Sequence, residues 1–243
     1  MRETGCYPTG AARVSFIERK DAMNVTDALG ARASIRAYKP DPVPRPTLEG
    51  ILGAALRTPS WANSQPWEVF VATGEPLERL RTAFLARTRE GVPGAPELST
   101  PKEWPAELRQ RTLQMIEARA RHQGVAPDDP AGQRSSLENN RRFFGAPTVV
   151  YLCLDRSLSP WSIYDLGALS QSIMLEAQEH GVDSTPAVNL VIYPDLIRAE
   201  MGIPDALLIL IGVALGYRDP GDSRNSYRTA RRSLEDVVRF PEA

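Results

Sequence analysis

The sequence predicts an α+β or mixed α/β domain, a short sheet covered by helices. Three observations predict it. Helical apolar stripes alternate with short apolar runs of strand character. Their order reads helix, strand, helix, helical excursion, strand, long helix, strand. No internal repeat or low-complexity block interrupts that order.

Thr26 is placed to cap a short helix running through Ala28 to Arg32. Ser34 to Tyr38 is extended in character and ends at Lys39-Pro40-Asp41-Pro42, which a helix does not cross. Thr47 opens a helix with Leu48, Ile51, Leu52, Ala55 and Leu56 on one face. After the loop Pro59 to Trp67 comes a strand, Glu68 to Thr73. A helix from Pro76 to Thr88 gathers Leu77, Leu80, Ala83 and Phe84. Glu49 and Glu75 sit near helix starts, where carboxylates are favoured. Pro93, Pro96, Pro101 and Pro105 mark an irregular excursion. A charged helix, Ala106 to His122, and a second, Gln133 to Arg142, flank the loop Gly124 to Gly132. Residues 89–142 read as a helical insertion, either a lid or plain surface. Thr148 to Leu154 is strand-like. The longest helix, Tyr164 to His180, carries a core stripe of Leu166, Leu169, Ser170, Ile173, Met174 and Ala177, and Gly181 ends it. Asp183 to Asn189 is a loop or short strand, and Asp195 to Met201 a short helix. Ala206 to Leu215, interrupted by Gly212, reads as a buried strand before a polar, arginine-rich tail.

A chain of 243 residues suits one large domain or two small ones. A net charge of -1 with 24% charged residues gives no field suited to nucleic acid or an acidic membrane. No apolar run approaches the ~18–20 residues that span a bilayer. There are two cysteines, Cys6 and Cys153. Cys153 lies in an apolar run and reads as a buried, unpaired thiol; such usage fits a reducing cytoplasm. His122 and His180 lack ligand spacing, so no metal site is expected. Residues 1–22 have no apolar core of the secretory kind and read as an extension. Met23, just before the periodic part, is expected as the natural start, which leaves 23–243 as the folded domain.

The chain shows no Walker phosphate loop, no G-x-G-x-x-G after a strand and no G-x-S-x-G elbow. The chemistry is therefore expected to rest on a cofactor. In an extended Arg32-x-Ser34-x-Arg36 the three side chains share a face. That face is either a grip on a phosphate and a neighbouring anionic edge, or a solvated basic strand edge. Arg231 or Arg232 either completes a phosphate site with Arg32 or belongs to a basic tail. Pro186 to Asn189 offers backbone N–H groups to a ligand edge, or simply connects. Pro59 to Trp67 sets two prolines and two tryptophans among small amide and hydroxyl side chains. Such a stiff loop suits a flat heteroaromatic ligand with polar edges.

Six segments, taken in order, resemble the FMN-dependent nitroreductase family: Arg32–Val43, Pro59–Trp67, Phe143–Pro147, Tyr164–Gly181, Ile211–Tyr217 and Arg231–Val238. The middle insertion is similar to that of the nitrobenzoate-reductase-like subgroup. The resemblance implies an α+β fold with a short, mainly antiparallel sheet flanked by helices. It also implies an intertwined homodimer with FMN at the interface. Arg32 and Arg231 would bind the FMN phosphate, assisted by Ser34, and Arg36 would lie near flavin N1 and O2. Pro59, Ser60, Trp61 and Asn63 would reach the flavin of the other subunit. Gln65, Pro66 and Trp67 would anchor the loop, with Trp67 in the core. Backbone of Pro186, Ala187, Val188 and Asn189 would approach the dimethylbenzene and N5 side. Many relatives have a glycine or an acidic residue in that last segment. Thr229 stands where some have a lysine, with Arg228 as a substitute. The implied activity is ping-pong hydride transfer from NADH or NADPH to nitroaromatic or quinone acceptors, with no catalytic side chain. The alternatives are a flavin-dependent dehydrogenase or reductive dehalogenase of the same fold, or a non-catalytic flavin-binding module.

Overall fold

A computed structural model describes residues 23–126 and 128–241. The extension expected over residues 1–22, Cys6 included, lies outside them. The elements run α1 (Val25–Ala31), α2 (Arg45–Ala55), β1 (Trp67–Thr73), α3 (Gly74–Arg89), α4 (Ala106–His122) and α5 (Pro130–Arg141). After these come β2 (Thr148–Asp155), α6 (Pro160–Glu179), β3 (Asp183–Ala187), α7 (Pro194–Met201), β4 (Leu207–Gly216) and a single turn, α8 (Leu234–Val237).

The sheet has the order β1-β2-β4-β3, and every pairing is antiparallel. The architecture is the expected α+β type. β2 shows why the strands read as unbroken apolar runs. Its Val149, Tyr151 and Cys153 face one core, with Leu77, Leu80 and Phe84 of α3 and Ile197 of α7. Its Val150, Leu152 and Leu154 face the other, with Ile51 of α2 and Leu166, Leu169 and Ile173 of α6. Both faces are covered, so no polar alternation survives. Cys153 is free and buried, and burial pushes its thiol up to about 12.

Helix ends differ from expectation where capping chemistry decides. The cap of α1 is Asn24, not Thr26: the Asn24 side chain accepts the Asp27 N–H at 3.0 Å. α6 begins four residues earlier than its stripe suggests, at Pro160, whose missing N–H costs nothing in a first turn. Gly212 does not break β4. A Cβ there would stand 2.6 Å from Leu190 Cβ, so the glycine admits the turn that follows β3.

The excursion after α3 is held down in its first half. Tyr193 OH donates to Val92 O at 2.8 Å, and Ala95 N donates to Ile192 O at 2.8 Å. Glu97 then reaches the sheet. At a bulge, β2 residues Leu152 and Cys153 face Ile211 and Ile209 of β4, and Leu210 is skipped. Glu97 accepts the Ile209 N–H at 2.6 Å and an Arg198 N–H at 2.8 Å, and it pairs with Arg156. Burial pushes the Glu97 carboxyl up, but these donors outweigh it and hold it below its ordinary value. Among the described residues no helix is long and apolar enough to cross a membrane.

A carboxyl depressed in the folded state stabilises above its unfolded pKa, and that stability is lost as pH falls through the folded value. Glu97→Gln should therefore cost about 2 kcal/mol near neutral pH. The gap from wild type should close as pH falls below roughly 4. Thermal melts across pH check this; a gap that stays constant down to acid would remove Glu97 from the account.

Candidate functional site

Residues 32 to 38 alternate as expected. Ala33, Ile35 and Ala37 are buried, while Arg32, Ser34 and Arg36 lie on the half-exposed face. The segment is extended but is not a strand of the sheet. It makes a single parallel bridge at Ser34–Ser184 and one antiparallel bridge at Tyr38–Arg218. Tyr38 N also donates to Phe144 O at 3.2 Å, and side chains supply further support. Asn225 Oδ1 accepts from Arg36 N at 2.9 Å and Ala37 N at 3.1 Å. Its Nδ2 donates to Ala37 O at 2.7 Å and Asp219 O at 2.9 Å. The Thr185 hydroxyl donates to Ile35 O and accepts from Tyr38 OH. Nearby, Arg218 closes a bidentate pair with the buried carboxylate of Asp183 at 2.7 and 2.5 Å.

Arg36 opens onto a cavity of about 600 Å³. One wall is the end of β3 with the turn after it, including Pro186, Ala187 and Asn189. The facing wall comes from α4 and α5, with Arg119, Ser136, Asn139 and Asn140. The 221–224 turn closes the rim. Arg224 is paired with Asp222 at 2.5 Å, but Arg36 and Arg119 have no carboxylate partner among the described residues. Burial lowers the Arg36 pKa, and the Arg119 charge lowers it further. At the other end of the basic face, burial lowers the Arg32 pKa and the neighbouring Arg231 adds to the effect. Arg231 bonds only Thr229 and the Ala230 carbonyl, so this pair too lacks a carboxylate among the described residues. Like charges held together without a counter-ion are the signature of an anion site.

The structure thus brings together Arg36, Pro186, Ala187 and Asn189 at the cavity, and Arg32 with Arg231 nearby. Ser34 lies between the two arginines of its own segment, and Arg36 Nη1 donates to its carbonyl at 3.2 Å. Val188 is exposed at the start of its turn. Pro59, Ser60, Trp61 and Asn63 do not line the cavity. They form an exposed loop whose Ser60 Oγ accepts the Gln65 N–H at 2.9 Å. The Trp61 N–H donates to the Asp165 carboxylate of α6 at 3.2 Å. Trp67 opens β1 and is buried in the core beneath α2 and α6. Among the described residues, no cluster of three or more His, Cys, Asp or Glu side chains could hold a metal.

Sequence reasoning missed Asn225, Asn139, Arg141 and Arg119. Asn139 Nδ2 donates to Arg36 O at 2.9 Å, and Arg141 Nη1 donates to Asn189 Oδ1 at 2.7 Å. The available signal was α5 itself, a helix with adjacent Asn139 and Asn140 and no buried residue. A polar helix carried by a folded domain has polar work to do.

Fold and cavity first define a class, an α+β protein with a cavity lined by two arginines, Arg36 and Arg119, that lack carboxylate partners among the described residues, suited to an anionic ligand. More particularly, the chain belongs to the nitroreductase family, whose family model matches residues 29–217. It is 32% identical over 222 residues to the chloronitrobenzene nitroreductase of Comamonas testosteroni, covering 89% of this chain and 96% of that one. It is 29% identical over 212 residues to a 4-nitrobenzoate reductase of Pseudomonas putida, covering 87% and 93%. Among solved structures it is similar to NfnB of Sphigopyxis sp. strain HMH, an FMN and NADPH-dependent nitroreductase. That match has a TM-score of 0.85 at 33% identity, covering 91% and 100% of the chains.

Asn225→Ala removes every side-chain tie between the 221–225 turn and the basic segment. It should lower unfolding free energy by roughly 3 kcal/mol, because buried N–H and C=O groups lose their partners. Urea denaturation reads this directly; a loss under about 0.5 kcal/mol, the range of an ordinary surface substitution, would mean the segment is held by other contacts.

Proposed function

We propose that this chain is an FMN-dependent NAD(P)H oxidoreductase that reduces nitroaromatic or quinone-type acceptors. One observation carries the reading. Arg32 with Arg231, and Arg36 four residues along the same face, present guanidinium groups without carboxylate partners among the described residues. Four residues of extended chain span about 13 Å. A ligand with a phosphate at one end and a polar ring edge at the other fits that spacing. The donor set fits FMN: Arg32, Arg231 and the Ser34 hydroxyl suit the phosphate, and Arg36 suits the pyrimidine edge. The relatives described as FMN and NADPH-dependent support the same assignment.

Bound there, FMN would supply the hydride-transfer chemistry that links NAD(P)H to the acceptor. The protein's part is electrostatic and positional. Arg36, already oriented by its contact with the Ser34 carbonyl, would stabilise negative charge on the pyrimidine edge. Backbone of Pro186, Ala187, Val188 and Asn189 would hold the opposite, N5 side. No side-chain nucleophile or acid–base pair is required.

The functional unit is a homodimer in this reading. Trp61, Trp161 and Tyr164 are 66%, 65% and 74% exposed; the last two share α6 with Asp165, which anchors the loop at Trp61. So much exposed aromatic surface marks a partner-binding face. Pro59, Ser60, Trp61 and Asn63 then complete the partner's site. The domain spans 23–243, with 89–142 as an insertion that walls the cavity, and the enzyme works in the cytoplasm.

The purified protein should be yellow, or turn yellow with added FMN, and anaerobic NADPH or NADH should bleach it. A colourless protein that takes up no FMN overturns the reading. Arg32→Ala should weaken FMN binding by about 2–3 kcal/mol in a fluorescence titration. Unchanged affinity would place Arg32 outside the phosphate site.

A further inference from the structure

The last turn of α5 ties its own wall of the cavity to Arg36 and to the wall at the end of β3. Asn139 holds the carbonyl of Arg36, and Arg141 holds the side chain of Asn189. Arg141 Nε also donates to Thr88 Oγ1 of α3 at 3.1 Å. Arg141 is half-buried and has no carboxylate partner among the described residues. A partly desolvated charge without a counter-ion costs stability, so packing alone gives no reason to keep it there.

Its contact with Asn189 has a directional consequence. A guanidinium carries donors only. The atom of the Asn189 amide that meets it must be the oxygen, at 2.7 Å. The Nδ2 group is thereby turned to the other side. Asn189 lines the cavity, and its Nδ2 has no protein partner among the described residues. Without Arg141, the two ends of the amide are nearly equal in shape, and either could face the cavity. Arg141 removes that ambiguity and leaves a fixed N–H donor at the exit of β3.

We propose that Arg141 is a positioning residue that locks the Asn189 amide with Nδ2 toward the cavity, as a donor to an acceptor atom on the edge of the cofactor ring. This rests on the FMN reading of that cavity. The contribution of Arg141 to cofactor binding then runs through Asn189, and α5 of the middle insertion takes part in cofactor recognition.

A double-mutant cycle tests it, read by FMN titration of the full chain and by thermal melts as a control. Arg141→Met and Asn189→Ala should each weaken FMN binding about five- to tenfold. The double variant should bind no more weakly than Asn189→Ala alone, because the two act as one unit. Arg141→Lys should recover most of the affinity, since an ammonium also only donates. If Arg141→Met fails to fold, the cycle is read with Arg141→Gln. Its amide can donate or accept, so it should fall between lysine and methionine. Additive losses, or full affinity in Arg141→Met, would overturn the inference while leaving FMN binding itself intact. A wild-type chain that binds no FMN would overturn the functional reading and this inference with it.

Discussion

The side-chain amide of Asn225 does what a strand pairing would otherwise do. It holds both N–H groups and the carbonyl of Arg36–Ala37 through three hydrogen bonds, and a fourth ties it to Asp219. The basic segment 32–38 has only isolated bridges to the rest of the fold. Together with the backbone bonds of Ile35 and Tyr38 and the contacts of Thr185 and Asn139, the clamp fixes the register of its alternating buried and open residues. The direction of Arg32 and Arg36 depends on that register, because a slip of one residue turns every side chain to the other face. The clamp therefore helps set which residues are core and which lie on the half-exposed face.

Element types were legible because helical stripes and apolar strand runs differ in period. The period-two face of Arg32, Ser34 and Arg36 was legible for the same reason, since Ala33, Ile35 and Ala37 alternate with it. What lay beyond the sequence was long-range. Asn225 meets Arg36 across 189 positions and Asn139 meets it across 103. Asn225 has no local context that distinguishes it from a solvated asparagine, and for Asn139 the one hint is the polar character of α5. Helix ends were misread where a cap or a proline, rather than the apolar stripe, decides the boundary, as at Asn24 and Pro160. The role of residues 89–142 stayed open between lid and surface because α4 and α5 bury no residue. The structure gives them a definite place as a wall of the cavity.

The location of the cavity follows from sheet packing. β2 and β4 are covered on both faces, so a ligand finds room only at the sheet's margin. β3 is one of the two edge strands, and Gly212 of β4 lets Leu190 pack closely enough to turn the chain there. Pro186, Ala187 and Asn189 line the same cavity as Arg36. Packing constraints that have nothing to do with chemistry thus set the end of β3 next to that charge.

The loop from Pro59 to Trp67 holds Ala62, Asn63 and Gln65 in the left-handed region, at φ of 53°, 55° and 46°. Each such residue costs on the order of 1 kcal/mol. Two prolines, the Ser60–Gln65 bond and the Trp61–Asp165 contact keep the loop in that shape in a single chain. The loop's shape is therefore set at folding, within one chain. Any surface that docked onto it would meet a rigid die, with little ordering entropy left to overcome. Shape selection against ill-fitting surfaces would then precede any encounter.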